Sequence, residues 1–222
     1  MLTRKLLVGL SFITFLNTAL ATPIEILLNG DFETGDLTGW TQATPVLPPI
    51  EWGVTTGAAI GAYSLVSSDN SHFASPWIEG PNPLATTLIQ VFDLTTLTDE
   101  LIGTFTFSAE AIYAEDRISL GYQLFDFDAQ PLHSELVFTG AGGTAPNSTP
   151  FSQSFSFVSG TRFISFFATA ELLSGSYIDA GFDRASILVD VKPKATVPSP
   201  NGYSLLVLGF ISLLISRRLK SS

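Results

Sequence analysis

The segment Gly103–Tyr113 reads GTFTFSAEAIY, and apolar and polar residues alternate along almost its whole length. In a β-strand successive side chains point to opposite faces, so one face carries the apolar residues and the other carries Thr, Ser and Glu. This pattern predicts a strand with one face in a hydrophobic core and the other in solvent. No window of useful length shows helical periodicity with capping residues.

Similar patterns lie on both sides of this segment. Apolar residues alternate over residues 118–124 and 185–191, and they occupy both faces of residues 162–170, which predicts a central strand. Further candidate strands are residues 24–28, Glu51–Thr55, 63–66, 86–92 and 154–157, with Gly, Pro and Asn turns between them. The chain is therefore predicted to be all-β, an antiparallel sandwich or barrel. Its predicted core contains Phe105, Phe107, Phe155, Phe157, Phe163 and Phe167.

The first 21 residues predict a cleavable signal peptide. Arg4 and Lys5 precede a mostly apolar run over residues 6–20, and the segment ends Ala19-Leu20-Ala21. A charged start, an apolar middle and small residues at the end are the parts of a secretory signal. We expect export and cleavage after Ala21. The remaining chain divides into a β domain (22–191), a linker (192–202) and a C-terminal tail (203–222).

The middle of the chain is strongly acidic. All 20 acidic residues but only five of the ten basic residues lie between positions 22 and 216, a net charge of −15. Such a domain is repelled by phosphate backbones, which argues against nucleic acid as a partner. Divalent cations and neutral or cationic polymers fit better, although excess acid also keeps a secreted protein soluble. The absence of cysteine excludes disulfides, thiolate metal sites and cysteine nucleophiles.

The C-terminal tail combines three elements: Val197-Pro198-Ser199-Pro200, an apolar stretch over residues 203–216, and the basic pair Arg217-Arg218. Fourteen helical residues rise about 21 Å, short of the ~30 Å hydrocarbon core of a bilayer. The basic end is expected to stay on the cytoplasmic side. The short spacer and the basic end argue against a GPI signal, which needs a polar spacer of about 8–12 residues and normally ends on its apolar tail.

This order of elements resembles the PEP-CTERM sorting signal of Gram-negative bacteria, with Ser199 in place of the usual Glu. The resemblance implies a membrane-embedded transpeptidase of the exosortase type as a partner, with cleavage near Pro198 and Pro200. It also implies an inner-membrane intermediate, held with Arg217 and Arg218 inside, and a final location in the cell envelope, on the surface or outside the cell. A plain one-pass anchor is the alternative interpretation of the same tail.

The start of the β domain reads LNGDFETGDLTGW over residues 28–40, and its end reads GFDRASI over residues 181–187. Both resemble carbohydrate-binding, galactose-binding-like jelly-roll modules, which often open with an NGDFE-like stretch and a Gly-Trp. The resemblance implies a jelly-roll β-sandwich. It also implies a structural Ca²⁺ held by Glu33 and Asp183, with Asp31 as a further candidate. Alternatively, Asp31 only stabilises a turn.

Sugar binding needs exposed aromatic rings beside polar groups. Trp52, Trp77 and Tyr63 lie in loop-rich regions and are the candidate carbohydrate-binding residues, although Trp52 and Trp77 are also compatible with a core position. Trp40 is expected in the core because it belongs to the opening motif.

Enzyme functions have little support in the sequence. The two histidines, His72 and His133, are far apart, and neither H-E-x-x-H nor G-x-S-x-G is present. Asp126 and Asp128 are expected on a solvated strand face rather than in a glycosidase pair. We therefore predict a non-enzymatic, exported surface or extracellular-matrix protein. The alternative is a carbohydrate-binding module that recognises exopolysaccharide.

Overall fold

The computed structural model describes residues 22–43, 51–60, 63–77, 85–97, 103–143 and 146–191. Their regular structure is almost entirely strand, with one short 3-10 turn at Leu94–Thr96. The strands are β1 (Ile24–Glu25), β2 (Thr41–Ala43), β3 (Glu51–Thr55), β4 (Ala58–Ile60), β5 (Tyr63–Leu65), β6 (Phe73–Trp77), β7 (Ala85–Asp93), β8 (Gly103–Tyr113), β9 (Arg117–Phe125), β10 (Pro131–Gly140), β11 (Asn147–Ser156), β12 (Phe163–Glu171) and β13 (Ala180–Val191).

Two antiparallel sheets face each other and form a β-sandwich. Sheet A has the order β11-β8-β13-β6-β3, with β1 paired to β13, and sheet B has the order β10-β9-β12-β7-β2. Strands β4 and β5 form a separate hairpin. The predicted all-β antiparallel sandwich is confirmed, and β12 is central in sheet B as its apolar composition indicated.

Aromatic rings from both sheets fill the space between them. Phe107 of sheet A stacks on Phe166 of sheet B at 4.9 Å between ring centroids, and Phe166 stacks on Phe182 at 5.5 Å. Phe105 meets Tyr122 edge to face at 4.8 Å. Burying a side chain of this size contributes about 1.5–3 kcal/mol. The alternating face of β8 therefore lies in the core, as predicted.

The prediction for the other phenylalanines was only partly correct. Phe155 and Phe157 are partly buried and pack against the core. For Phe163 and Phe167 the predicted core position is wrong. The side chains of β12 that point into the core are those of the even-numbered residues, such as Ile164 and Phe166. Because β12 is apolar at both parities, alternation alone could not determine its orientation.

The two terminal motifs meet at a β-bulge in β13. The pairing of β13 with β8 shifts register between Asp183 and Ser186, and Arg184 there has a positive φ of 49°. The Ala185 N–H donates to the Gly30 carbonyl at 2.9 Å. A Cβ on Gly30 would lie 1.9 Å from the Ala185 carbonyl oxygen, so only glycine allows this approach. The opening loop is thus fixed against the last strand.

In the described part of the chain, no helix has the length and apolar character needed to cross a membrane. The predicted signal peptide, the linker with Pro198, Ser199 and Pro200, and the tail with Arg217 and Arg218 lie outside the described residues.

Candidate functional site

A row of apolar groups crosses the outer face of sheet B. Strand register aligns Leu136, Gly121, Phe167, Ile89 and Thr41 on five neighbouring strands, on the face opposite the core. Leu136 is 59% exposed, and Phe167 and Ile89 are half-buried. With strands about 4.8 Å apart, the apolar members of this row, from Leu136 to Ile89, extend roughly 14 Å across four strands, and Thr41 continues the register on the fifth.

Phe167 is the aromatic centre of the apolar row. Its neighbour on β9 is Gly121, and a Cβ on Gly121 would lie 2.7 Å from the Phe167 Cζ atom. The same Cβ would lie 2.3 Å from the Glu135 carbonyl oxygen. Because Gly121 has no side chain, the Phe167 ring lies over the neighbouring strand and keeps a partly exposed aromatic surface.

Hydrogen-bonding side chains border the apolar row on both sides. On one side register aligns a hydroxyl row of Thr139, Ser119, Thr169 and Thr87. Within this row, Thr87 and Thr169 hydroxyl oxygens lie 2.9 Å apart and those of Ser119 and Thr139 lie 3.4 Å apart. On the other side register aligns Ser134 and Gln123, followed by the buried Ser165 and the exposed Val91. Neutral polar side chains thus border the apolar row along four strands on one side and along β10 and β9 on the other.

More aromatic residues lie at the end of sheet B, beyond the polar side chains on this second side. Phe125 and Phe163 are register partners, and both are half-buried. The Arg162 guanidinium lies 4.4 Å from the Phe127 ring centroid and 5.0 Å from that of Phe163. It also pairs with Asp93 at 3.1 Å. Cation–π contacts of this kind hold the exposed Phe127 ring in place.

The predicted carbohydrate platform is wrong at Trp52. This side chain is only 4% exposed, belongs to the core, and donates its indole N–H to the Thr86 hydroxyl at 3.1 Å. A ring packed between the sheets cannot stack on a sugar. Tyr63 and Trp77 lie in β5 and β6, but their side chains are outside the described residues. Trp40 is buried in the core, as predicted.

The predicted calcium residues have other partners. Glu33 accepts the His72 backbone N–H at 2.9 Å, and its second carboxylate oxygen lies 3.3 Å from the His72 Nδ1 atom. These contacts with His72 lower the pKa of Glu33. Asp31 is exposed and its carboxylate faces the Glu33 N–H at 3.4 Å, which is a turn contact. Within the described ranges, no three His, Asp or Glu side chains are grouped to hold a metal ion.

Asp183 belongs to a polar cluster on the outer face of sheet A that was not predicted. Its carboxylate accepts from the Ser71 hydroxyl at 2.9 Å, and burial raises its pKa to about 6. Its register partner Glu110 accepts from the Arg184 guanidinium, the Ser148 hydroxyl and the Ser68 backbone N–H. Glu110 looked like one more polar position in an alternating strand, so only the tertiary structure could reveal this cluster.

A second acidic group lies where β9 begins. The buried Asp116 carboxylate accepts the backbone N–H groups of Leu173, Ser174 and Asp179 at 2.7, 3.2 and 2.7 Å. Asp179 is 7% exposed, and its Oδ1 atom has no hydrogen-bond partner. Burial and the nearby Asp116 charge raise the pKa of Asp179 to about 6. This arrangement fixes the 173–179 loop while leaving one carboxylate poorly solvated.

The candidate catalytic groups do not converge. His72 and His133 contact different glutamates, Glu33 and Glu135, each at 3.3 Å. Asp126 is a turn residue, because its carboxylate accepts the backbone N–H groups of Asp128 and Gln130 at 2.9 and 2.8 Å. The expected strand face carrying Asp126 and Asp128 is instead the hairpin turn between β9 and β10.

Solved structures of other proteins share the fold of this chain, whereas sequence comparisons find no relative. No protein-family model and no curated protein sequence matches the chain. The enzymatically active domain of tailspike protein 4 from bacteriophage CBA120 is similar, with a TM-score of 0.54 and 9% identity over 75% of this chain. The chain spans only 21% of that tailspike chain. This similarity concerns the fold alone.

Two carbohydrate-binding modules are also similar at lower scores. A family 61 module solved with β-1,4-galactotriose has a TM-score of 0.46 and 14% identity, over 74% of this chain and 97% of that chain. The C-terminal family 22 module of a Clostridium thermocellum protein has a TM-score of 0.47 and 15% identity, over 75% and 98% of the two chains.

Proposed function

We propose that this protein is an exported, non-catalytic carbohydrate-binding protein that holds a polysaccharide across the outer face of sheet B. The observation that carries the proposal is the apolar row centred on Phe167, with neutral hydrogen-bonding rows on both sides. A pyranose ring has an apolar C–H face and a rim of hydroxyl groups, so its chemistry matches this arrangement.

The extent and charge of the face favour an extended, neutral chain. The apolar members of the row, from Leu136 to Ile89, extend roughly 14 Å across four strands, which is long enough for more than one sugar unit. Charged side chains at the two ends of the central strands of sheet B are paired, Arg117 with Glu171 at 2.7 Å and Arg162 with Asp93 at 3.1 Å. The acidic domain repels polyanions, so a neutral exopolysaccharide fits better than an acidic one.

Binding of the protein to neutral polysaccharides, on a glycan array and by affinity electrophoresis, tests this proposal. Phe167→Ala removes the central ring, and we expect about a tenfold loss of affinity, which corresponds to about 1.4 kcal/mol. Leu188→Ala is the matched control, because Leu188 is an exposed apolar residue on the outer face of sheet A. Thermal melts establish that both variants are folded.

The outcomes are distinct. Loss of binding in Phe167→Ala with normal binding in Leu188→Ala supports the outer face of sheet B as the site. Equal affinities of the folded Phe167→Ala variant and the unmodified protein, or no binding to any polysaccharide, contradict the proposal.

A further inference from the structure

Strand β11 forms one edge of sheet A. On one side it pairs with β8 without a register shift, from Asn147 opposite Tyr113 to Ser156 opposite Thr104, and no strand in the described part of the chain pairs with its other side. A regular edge strand offers its backbone N–H and C=O groups to another strand. The edge of sheet B at β10 is different, because two register shifts interrupt it and it carries Glu135. Strand β11 is therefore a long, regular edge that is open to pairing.

The even-numbered residues of β11 direct their backbone groups toward this open edge. The N–H of Phe157, directly after β11, donates to the Gly103 carbonyl of β8 at 3.3 Å. Backbone groups alternate in direction along a strand, so the odd-numbered residues of β11 face β8, and Ser152 and Ser154 face outward. Pro150 agrees with this direction, since proline has no N–H to donate and is tolerated where it faces away from the sheet.

The sequence of β11 is palindromic about its centre. Phe151-Ser152-Gln153-Ser154-Phe155 reads the same in both directions. Two antiparallel copies of β11, related by a twofold axis at Gln153, would place Ser152 opposite Ser154 and Phe151 opposite Phe155. Because both serines face outward, each such serine pair would exchange two backbone hydrogen bonds. The strand is thus complementary to itself in side chains and in hydrogen-bonding groups.

The side chains of β11 suit contact with a second copy. No residue of Asn147–Ser156 is charged, although the domain as a whole is strongly acidic, so two copies of the strand can approach without facing like charges. Phe151 and Phe155 are only partly buried at the rim of the core. Phe151 stacks on Phe138 at 5.1 Å, and Phe155 stacks on Phe105 at 5.5 Å. A second β11 would add an aromatic ring beside each of them and cover part of their exposed surface.

We infer that this protein forms a twofold-symmetric dimer in which β11 pairs with β11 of a second copy, centred on Gln153. The pairing joins the two copies of sheet A into one continuous antiparallel sheet through main-chain hydrogen bonds. The interface is isologous and uses the open β11 edge of both copies, so assembly stops at two. Because β11 belongs to sheet A, this interface is separate from the proposed carbohydrate site on sheet B.

Sedimentation velocity of the full chain in mild detergent tests the dimer. At about 0.15 M salt, which screens the acidic charge, the unmodified protein should convert from monomer to dimer over micromolar concentrations. Gln153→Lys places two like charges opposite each other at the axis, so it should raise the dimer dissociation constant at least about tenfold. Gln130→Lys is the matched control, because Gln130 is exposed in the turn between β9 and β10. It should dimerise like the unmodified protein.

Both variants keep the two ends of the chain, so association through the ends would be the same in each. Thermal melts establish that the variants are folded.

Single cysteines test the register, because the chain has no cysteine of its own. The two Gln153 residues form a non-hydrogen-bonded pair with Cα atoms about 4.5 Å apart, a separation that a disulfide can span. Ser152 and its counterpart in the second copy lie on a diagonal, about 7–8 Å apart, which is too far for a disulfide. Under mild oxidation, Gln153→Cys should therefore give a covalent dimer, and Ser152→Cys should give much less.

Four results would overturn the inference. The first two are a protein that stays monomeric at every concentration and one that grows into species larger than a dimer. The third is a dimer that folded Gln153→Lys leaves unchanged, since the contact would then lie elsewhere. The fourth is cross-linking of Ser152→Cys as readily as Gln153→Cys, since the pairing would then not be centred on Gln153.

Discussion

Asp179 shows how one buried carboxylate makes stability depend on pH. Its pKa rises from 3.8 to about 6 in the folded protein, so the folded state binds a proton more readily than the unfolded chain. The contribution of Asp179 to the free energy of unfolding is therefore most favourable below pH 4 and is lost as the pH rises through 6. At neutral pH the ionised Asp179 destabilises the fold, because it is buried near Asp116.

Asp179→Asn should accordingly stabilise the protein at neutral pH. A shift of about two pKa units corresponds to about 2–3 kcal/mol in the free energy of unfolding at pH 7.5. The gain should decrease below pH 6 and be largely lost by pH 4, where Asp179 is protonated in the folded state and the unfolded chain, with a pKa of 3.8, begins to be protonated as well. Urea melts of both proteins at pH 4, 5, 6 and 7.5 measure it. A difference that does not change with pH would show that the Asp179 charge is not its cause.

At the scale of single elements, β12 separates what the sequence predicts from what it cannot. Apolar residues at both parities correctly indicated a central strand, but they left open whether Phe166 or Phe167 faces the core. The choice is made by packing, since Phe166 stacks on Phe107 and Phe182 in the other sheet. The same choice places Phe167 on the outer face, where it forms the candidate site.

Gly121 on β9 leaves the space that the Phe167 ring of β12 occupies. Gly121→Ala should destabilise the β9–β12 pair, because the new Cβ would lie 2.3 Å from the Glu135 carbonyl oxygen and 2.7 Å from the Phe167 ring. We expect a loss of about 1–3 kcal/mol in denaturant melts. Gly57→Ala is the control, because its Cβ would meet only ordinary contacts from 3.6 Å. Equal stability of the two variants would show that the strands around Gly121 can adjust.

At the scale of the whole molecule, sequence motifs predicted the fold better than the sites. The NGDFE-like opening and the GFDRASI stretch indicated one jelly-roll-like domain, and Gly30 does meet Ala185. The polar cluster could not be predicted, because it joins Ser68, Glu110 and Arg184 from three distant segments. For Trp52, in the predicted strand Glu51–Thr55, the sequence left both an exposed and a core position open, and pairing of β3 with β6 carries it into the core.

The sorting role predicted for the C-terminal tail rests on the sequence alone. If the tail is a sorting signal, residues 203–216 first hold the protein in the inner membrane, with Arg217 and Arg218 on the cytoplasmic side. In that case we expect Pro198 and Pro200 to favour an extended linker that a processing enzyme can reach. Cleavage there would release a protein that lacks residues 203–222.

Replacing Pro198 and Pro200 with Ala should therefore leave uncut precursor in the inner membrane of a host that has exosortase. Deleting residues 203–222 should bypass this retention and release the β domain directly, because nothing then holds the chain in the bilayer. Fractionation and mass spectrometry of the C-terminal peptide distinguish the two products. An intact Ser222 on protein at its final location would instead identify the tail as a simple anchor, with residues 203–216 shorter than the ~30 Å bilayer core and the basic end reaching the interface.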